Sequence, residues 1–332
     1  MISKDQIQMS STMTEVARRA GVSPATVSQV YSGNRPVSDA TRQCVLEAAW
    51  ALGYKPHQGK PTVGLLVRPD EALSGFQFGT TSFAEITGSV TLACLNRGFK
   101  VFTCQEVDEL AQHGPRVDGC VVLHPNFRDE ALEELERRGT PTVAFDPDPG
   151  SRKFRWWAGF DYPKSFASLV EHLFDAGARR LAALVGQTDN NYRRSLLWTY
   201  TSTVTRRGAR PLLRMIDNRK GQVAAEEACR ELLLQSDGPD AVVTSSSVFA
   251  LGALNAATEL GLTVPKDFMV ATVLDGPLAE YATPPITGLR MDTTATAAQI
   301  VKLLEMRICG DRLPSDPQAF PLNLQVRESS SR

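Results

Sequence analysis

From Val63 onward, short apolar strands alternate with helical stretches, and this rhythm constrains the fold more than any other property of the chain. VGLLV, KVFTC, VDGCVVLH and PTVAF are separated by segments such as TSFAEITGSVTLACLNRG and EALEELERRG. Near-continuous apolar strands with helices between them are what parallel βαβ units require, because each strand is covered on both faces. The pattern recurs after Phe166 with SLVEHLFDAG, RRLAALVG, a long helix near Arg193 to Arg207, PLLRMI, AAEEACRELLLQ, AVVTS, LGALNAATELG and FMVATVL. Two doubly wound parallel-sheet lobes are predicted. Open parallel sheets bind ligands outside the carboxyl ends of their strands, which places a small-molecule site in the cleft between the lobes.

The segment Thr12 to Gly33, TMTEVARRAGVSPATVSQVYSG, has a different grammar. Thr12 and Glu15 form a capping box that starts one helix, with Val16, Ala17 and Ala20 on one face, and Gly21 supplies the left-handed residue that ends it. Ser23 followed by Pro24 starts a second helix, on which Val27 and Val30 face back to the first. A third, capped by Ser38, runs to about Leu52 with Val45, Ala48, Ala49 and Leu52 on one face, and Gly53 stops it. Helix, tight turn and helix is either an ordinary helical hairpin or the arrangement that seats a recognition helix in the DNA major groove.

Charge is distributed to match the second option. Net charge is only −1, but residues 1–60 carry seven Lys or Arg against four acids, so this segment is about +3 and the rest about −4. No apolar run is long enough for a membrane span or a secretory signal, so a cytoplasmic protein is expected, nucleoid-associated when bound to DNA. The six cysteines contain no CxxC pair and read as buried free thiols. The four histidines lack metal-ligand spacing, and no GxSxG elbow, Walker loop or strand-linked GxGxxG is present. Neither an enzyme nor a cofactor or metal is expected.

VARRAGVSPATVSQVYSG, then Val37, Ser38, Thr41 and Arg42, then LGYKP at Leu52 to Pro56, resembles the DNA-binding head of the LacI family of transcription regulators along its whole length. VDGCVVL, TPTVAFD, EHLFDAGARRLA, ELGLTVPKDFMV, TPPITGLR and RES follow in the order of that family's effector domain, whose bilobal fold is shared with periplasmic sugar-binding proteins. The resemblance implies a helix-turn-helix domain over 12–56, a linker over 57–61 and a bilobal effector and dimerisation domain over 62–328, while polar residues with little to bury predict disordered tails over 1–11 and 329–332. It further implies a repressor that binds a palindromic operator in double-stranded DNA as a homodimer, under control of a sugar-like effector. No leucine heptads follow Arg332, so no tetramerisation tail is expected. The alternatives are an effector-independent regulator with a degenerate cleft and a solute-binding protein.

By the same resemblance, the DNA contacts are Thr12, Ser23, Pro24, Ala25, Thr26, Ser28, Gln29, Ser32, Arg35 and Thr41, and the effector contacts are Phe83, Asp161, Arg194, Ser246 and Asp275. Several positions depart from the family. Pro24 and Ala25 offer a base only apolar contact, such as a thymine methyl. Gln29 stands where arginine is common; its paired donor and acceptor suit adenine, although a phosphate contact is the other reading. Only four residues separate Pro56 from Pro61, with no leucine and with Gly59 among them, whereas one α-helical turn takes about 3.6 residues. A hinge helix that wedges leucine into the minor groove is therefore not expected, and less DNA kinking follows. In the cleft, Ser246 and Ser247 replace an Asn-Asp pair, and Leu274 falls where an effector-binding aspartate is usual unless a slip of one residue restores Asp275. Arg194 and Asp161 read either as ligand contacts or as an ion pair, and Phe83 either stacks on a ligand or belongs to the core.

Overall fold

The computed structural model describes residues 13–32, 36–52, 54, 60–68, 81–112, 117–151, 153–314 and 319–332. The tail over 1–11, Thr12 of the capping box, Arg35, Gly53, the last two head residues, 55 and 56, and residues 57–59 of the linker lie outside the described residues.

Helices α1 (Met13–Ala20), α2 (Pro24–Ser32) and α3 (Asp39–Ala51) form the N-terminal unit. At the end of α1, Gly21 sits at φ +67° and the Val22 amide donates to Ala17 O at 3.0 Å, a Schellman-type close. Ser23 then accepts from the Thr26 amide at 3.1 Å and Ser38 from the Thr41 amide at 3.3 Å, so serine caps start the next two helices. Val16, Val27 and Val45 are fully buried and Ala17, Val30, Ala48 and Ala49 nearly so, one core shared by all three helices. Each such valine contributes about 1.5 kcal/mol or more by leaving water. Arg42 of α3 reaches the Val30 carbonyl near the end of α2 at 3.3 Å, which ties the second helix to the third.

The first lobe contains β1 (Thr62–Val67), α4 (Thr81–Asn96), β2 (Lys100–Cys104), α5 (Val107–Gln112), β3 (Gly119–Leu123), α6 (Glu130–Arg137), β4 (Thr142–Phe145) and β5 (Trp157–Phe160). The second contains α7 (Tyr162–Asp175), β6 (Leu181–Gly186), α8 (Asn191–Arg206), β7 (Leu212–Ile216), α9 (Gly221–Leu233), β8 (Ala241–Thr244), α10 (Ser247–Glu259), β9 (Met269–Thr272), α11 (Pro277–Glu280) and β10 (Thr287–Arg290). The chain then returns. Helix α12 (Thr293–Ile308) packs on α4 and against β3, β4 and β5 of the first lobe. Strand β11 (Ala319–Phe320) pairs in parallel with β5, and β12 (Asn323–Gln325) pairs antiparallel with β10 back in the second lobe.

The two sheets run β2-β1-β3-β4-β5-β11 and β7-β6-β8-β9-β10-β12, the same order twice. Register is equivalent as well: Val63 lies opposite Val101 and Gly119, and Ala183 opposite Leu213 and Val243. Strands β1, β3, β4, β8 and β9 are buried along their length, which is why they read as unbroken apolar runs. The two-lobed α/β expectation stands. The short edge strands β11 and β12 and the three crossings between lobes were not expected, because two or three residues carry no periodicity.

The expectation of a disordered tail over 329–332 is corrected. Ser329 and Ser330 are fully buried in a 3₁₀ turn, Glu328–Ser330. Ser329 Oγ donates to Val270 O at 2.6 Å and accepts from the Thr287 amide at 2.9 Å, while Ser330 Oγ lies 2.6 Å from Thr287 Oγ1 and 2.8 Å from His172 Nε2. A polar tail looks unordered in sequence, but here its hydroxyls pair with groups that the second sheet leaves exposed at its end. Cys94, Cys104, Cys120 and Cys229 are buried free thiols, their pKa pushed up by burial to about 11 for Cys94 and about 12 for the others. Cys44 is exposed and Cys309 half-buried. No helix among the described residues is long and apolar enough to cross a membrane.

Candidate operator interface and effector cleft

On α2 the valines at 27 and 30 face the head core, and Pro24, Ala25, Thr26, Ser28 and Gln29 are partly exposed. Ser23 and Thr26 are engaged in the cap, their hydroxyls 2.9 Å apart, and Thr41 Oγ1 lies 2.8 Å from Ser38 Oγ in the cap of α3. Among the described residues in the first turns of α2, Ser28 and Gln29 carry polar side chains outside that cap. Arg18 and Arg19 are exposed in the last turn of α1. Thr12, Arg35 and the Ser32 side chain lie outside the described residues.

The cleft forms where the carboxyl ends of the two sheets face one another, as a doubly wound fold requires. Its walls include Phe83, His124, Tyr162, Tyr192, Phe249 and Leu274, with Gly186, Arg193, Asn218, Ser246 and Met291 among the other lining residues. His124, directly after β3, and Asp146, directly after β4, both adopt left-handed backbone, at φ 53° and 71°. Such conformations cost about 1 kcal/mol or more and persist where the surroundings over-determine them, often at sites of function. Here the His124 amide donates to Phe145 O at 3.0 Å and the Asp146 amide to Ala158 O at 2.9 Å.

A small polar cluster stands behind the first-lobe wall. Tyr162 Oη donates to Asp146 Oδ2 at 2.6 Å, and His124 Nδ1 lies 3.4 Å from the same oxygen. The His124 ring is held edge-on between Phe83, 4.7 Å away, and Phe145, 4.6 Å away. Gly159 makes room for the Asp146 carboxylate, since a Cβ there would collide with Oδ1. On the second lobe, Tyr192 Oη donates to Ser245 O, Asn218 Nδ2 donates to Thr188 Oγ1 at 2.7 Å, and Gly186 leaves space for the Asn218 amide. Burial, joined for Tyr162 by the Asp146 carboxylate, pushes both phenol pKa values far up, so the two tyrosines stay protonated donors. His124 Nε2, Arg193 Nε and Asn218 Oδ1 are buried side-chain atoms without a hydrogen-bond partner.

Comparison with known proteins fits this geometry. Residues 12–57 match the family described as bacterial regulatory proteins, lacI family, and residues 170–330 match the periplasmic binding protein-like domain. The chain belongs to the LacI family. It is 29% identical over 342 residues to the HTH-type transcriptional regulator CelR of Thermobifida fusca, covering 96% of this chain and 98% of that one. It is 27% identical over 340 residues to the HTH-type transcriptional repressor PurR of Edwardsiella ictaluri, covering 96% of each. A solved complex of CelR with cellobiose superposes with a TM-score of 0.70 at 29% identity, covering 96% of this chain and 99% of that chain. The lac repressor dimer bound to operator and an anti-inducer shares the fold at a TM-score of 0.69 and 23% identity, covering 97% and 99%.

Within this LacI-family frame, the structure places the effector contacts expected from sequence as follows. Phe83 and Ser246 line the cleft, Ser246 also capping α10 through the Phe249 amide at 3.4 Å. Asp161 does not line it; its carboxylate caps α7 by accepting from the Lys164 amide at 3.3 Å, and Tyr162 lines the cleft instead. Arg194 points outward, bonded through Nε and Nη2 to Asp189 at 2.7 and 2.8 Å and lying 3.9 Å from the Phe127 ring centre, while Arg193 lines the cleft. Asp275 is fully engaged elsewhere. Arg290 Nε reaches it at 2.8 Å and Arg327 at 2.8 and 2.9 Å, and Leu274 takes the cleft position. Burial raises the Asp275 pKa, but the two guanidiniums outweigh it and hold the group below its ordinary value. Sequence reasoning missed His124, Tyr162, Tyr192, Arg193 and Asn218. The available signal was position: His124 ends VDGCVVLH and Asn218 closely follows PLLRMI, both at strand carboxyl ends.

Proposed function

We propose that this LacI-family regulator binds a palindromic operator as a homodimer, one head per half-site, and represses transcription under control of a small effector held between the lobes. The observation that carries the reading is α2: a serine-capped helix, its valines locked into the head core, presenting Pro24, Ala25, Ser28 and Gln29 outward from its first turns. Gln29 reads an adenine through its paired donor and acceptor, and Pro24 and Ala25 give apolar contact to a neighbouring base. Exposed arginines at the end of α1 supply phosphate contacts that orient the helix without specifying sequence.

Effector control is favoured over a degenerate cleft by the three orphaned polar atoms at the cleft wall, because a buried unpaired donor or acceptor costs about 1–3 kcal/mol that a ligand group relieves. Closing the lobes on that ligand changes the angle between them, and the short linker passes the change to the heads. Selection from a randomised duplex library tests the operator reading directly. The wild type selects a palindrome with A·T at the Gln29 contact, and Gln29→Arg moves that position toward G·C. An unshifted half-site assigns Gln29 to phosphate.

A further inference from the structure

The chemistry of the cleft wall restricts the effector class, an inference that rests on the cleft being the effector site. No carboxylate lines the cleft among the described residues. Four carboxylates near it are committed to the protein: Asp146 to Tyr162 and His124, Asp189 to Arg193 and Arg194, Asp161 to a helix cap, and Asp275 to Arg290 and Arg327. The tyrosine hydroxyls are also spent internally, Tyr162 on Asp146 and Tyr192 on Ser245 O, which leaves their rings to the cleft. Asn190 and Ser246 cap α8 and α10 with their own side chains, so those helix starts are already served.

A polyol would be poorly matched by such a wall. Vicinal hydroxyls are recognised by uncommitted carboxylates and fork-shaped donors, and a sugar placed here would bury hydroxyls without partners. Rings on both sides suit a flat ligand, since aromatic pairs prefer stacked or edge-on contact at about 4.5–7 Å between centres. The described residues enclose about 100 Å³, the scale of a single ring, since cavities of roughly 150 Å³ hold benzene.

We infer that the effector is a compact planar ring, aromatic or heteroaromatic and poor in hydroxyls, which stacks between the lobes and offers polar edge atoms to His124, Arg193 and Asn218. Arg193 Nε demands an acceptor on that edge and Asn218 Oδ1 a donor, while His124 Nε2 serves either according to tautomer. Leu274 then acts as the specificity residue, replacing a charged contact with an apolar one against the ring.

Isothermal titration calorimetry on the full chain tests this with 4-hydroxybenzoate, nicotinamide and adenine as ring probes against glucose, lactose and cellobiose. At least one ring binds tenfold or more tightly than every sugar, and Leu274→Asp weakens it at least tenfold. Phe83→Ala, which shortens a wall residue without burying charge, does the same and serves if Leu274→Asp lacks a cooperative melt. Tightest binding by a sugar, no ring binding at millimolar concentration, or ring binding unchanged in both variants overturns the inference. Failure of operator selection in the duplex library would instead remove the regulator reading and leave ring binding intact.

Discussion

The two lobes share one strand order, yet they use the same topological position in opposite ways. Strand β4 of the first lobe and β9 of the second are equivalent, and each leads to a buried aspartate near the cleft. Asp146 is met by a phenol and an imidazole and keeps Oδ1 without a partner. Asp275 is clamped by two guanidiniums, one of which also holds Glu280 at 2.7 Å. The first arrangement is adjustable, because a change of His124 tautomer can answer a ligand at Nε2. The second is a fixed clasp that binds β10 and the chain end to the lobe. Duplicated topology thus sets where polar groups go, and the partners on neighbouring strands decide whether they sense or hold.

The sharpest way to break this contrast is to remove each carboxylate. Asp275→Ala leaves two arginines facing a buried void, so a loss of about 3 kcal/mol or more is expected, read as a lower urea midpoint. The same clasp gives an acid signature. Its folded pKa lies below the ordinary value near 3.9, so its contribution is complete above roughly pH 4 and is lost as pH falls through the folded value. Asp146→Asn keeps the shape of the side chain and costs less, about 1–2 kcal/mol, and its main effect is expected on ligand response rather than on melting. Tyr192→Phe removes one buried hydrogen bond to Ser245 O at a cost of about 1 kcal/mol, measured the same way.

The smallest effect concerns His172. Burial holds its pKa below the ordinary value, whereas the unfolded chain takes up that proton near pH 6.5. Stability therefore falls as pH drops below about 6.5, and the loss levels off once pH is below the folded value. His172→Gln keeps a partner for Ser330 and flattens this slope. An unchanged slope in thermal melts between pH 7 and pH 5 would show that His172 does not carry this acid sensitivity.

The head was legible because its signals are local: a serine cap, a proline at the first helical position and a left-handed glycine each act within four residues. The lobes were legible because buried parallel strands are continuous apolar runs. Cleft chemistry was not, and the misses share a form. Asp161, Arg194 and Asp275 were expected in the cleft, and in each case the adjacent residue, Tyr162, Arg193 or Leu274, lines it. One residue rotates a helical side chain by about 100° and reverses a strand side chain, so family-style alignment locates the element without settling the face. The long-range partners that withdrew those charges, Arg327 above all, lie 52 residues away from Asp275 and leave no local trace.

The returning segment also bears on how the molecule is made. Helix α12 and strand β11 belong to the first lobe but follow the whole of the second in sequence. On a ribosome, β1 to β5 emerge and must wait, with β3 to β5 bare on the face that α12 will cover, until more than a hundred further residues have been added. The first lobe to be translated is therefore the last to be closed, and the vulnerable species during synthesis is a half-clad sheet whose missing helix has not yet left the exit tunnel.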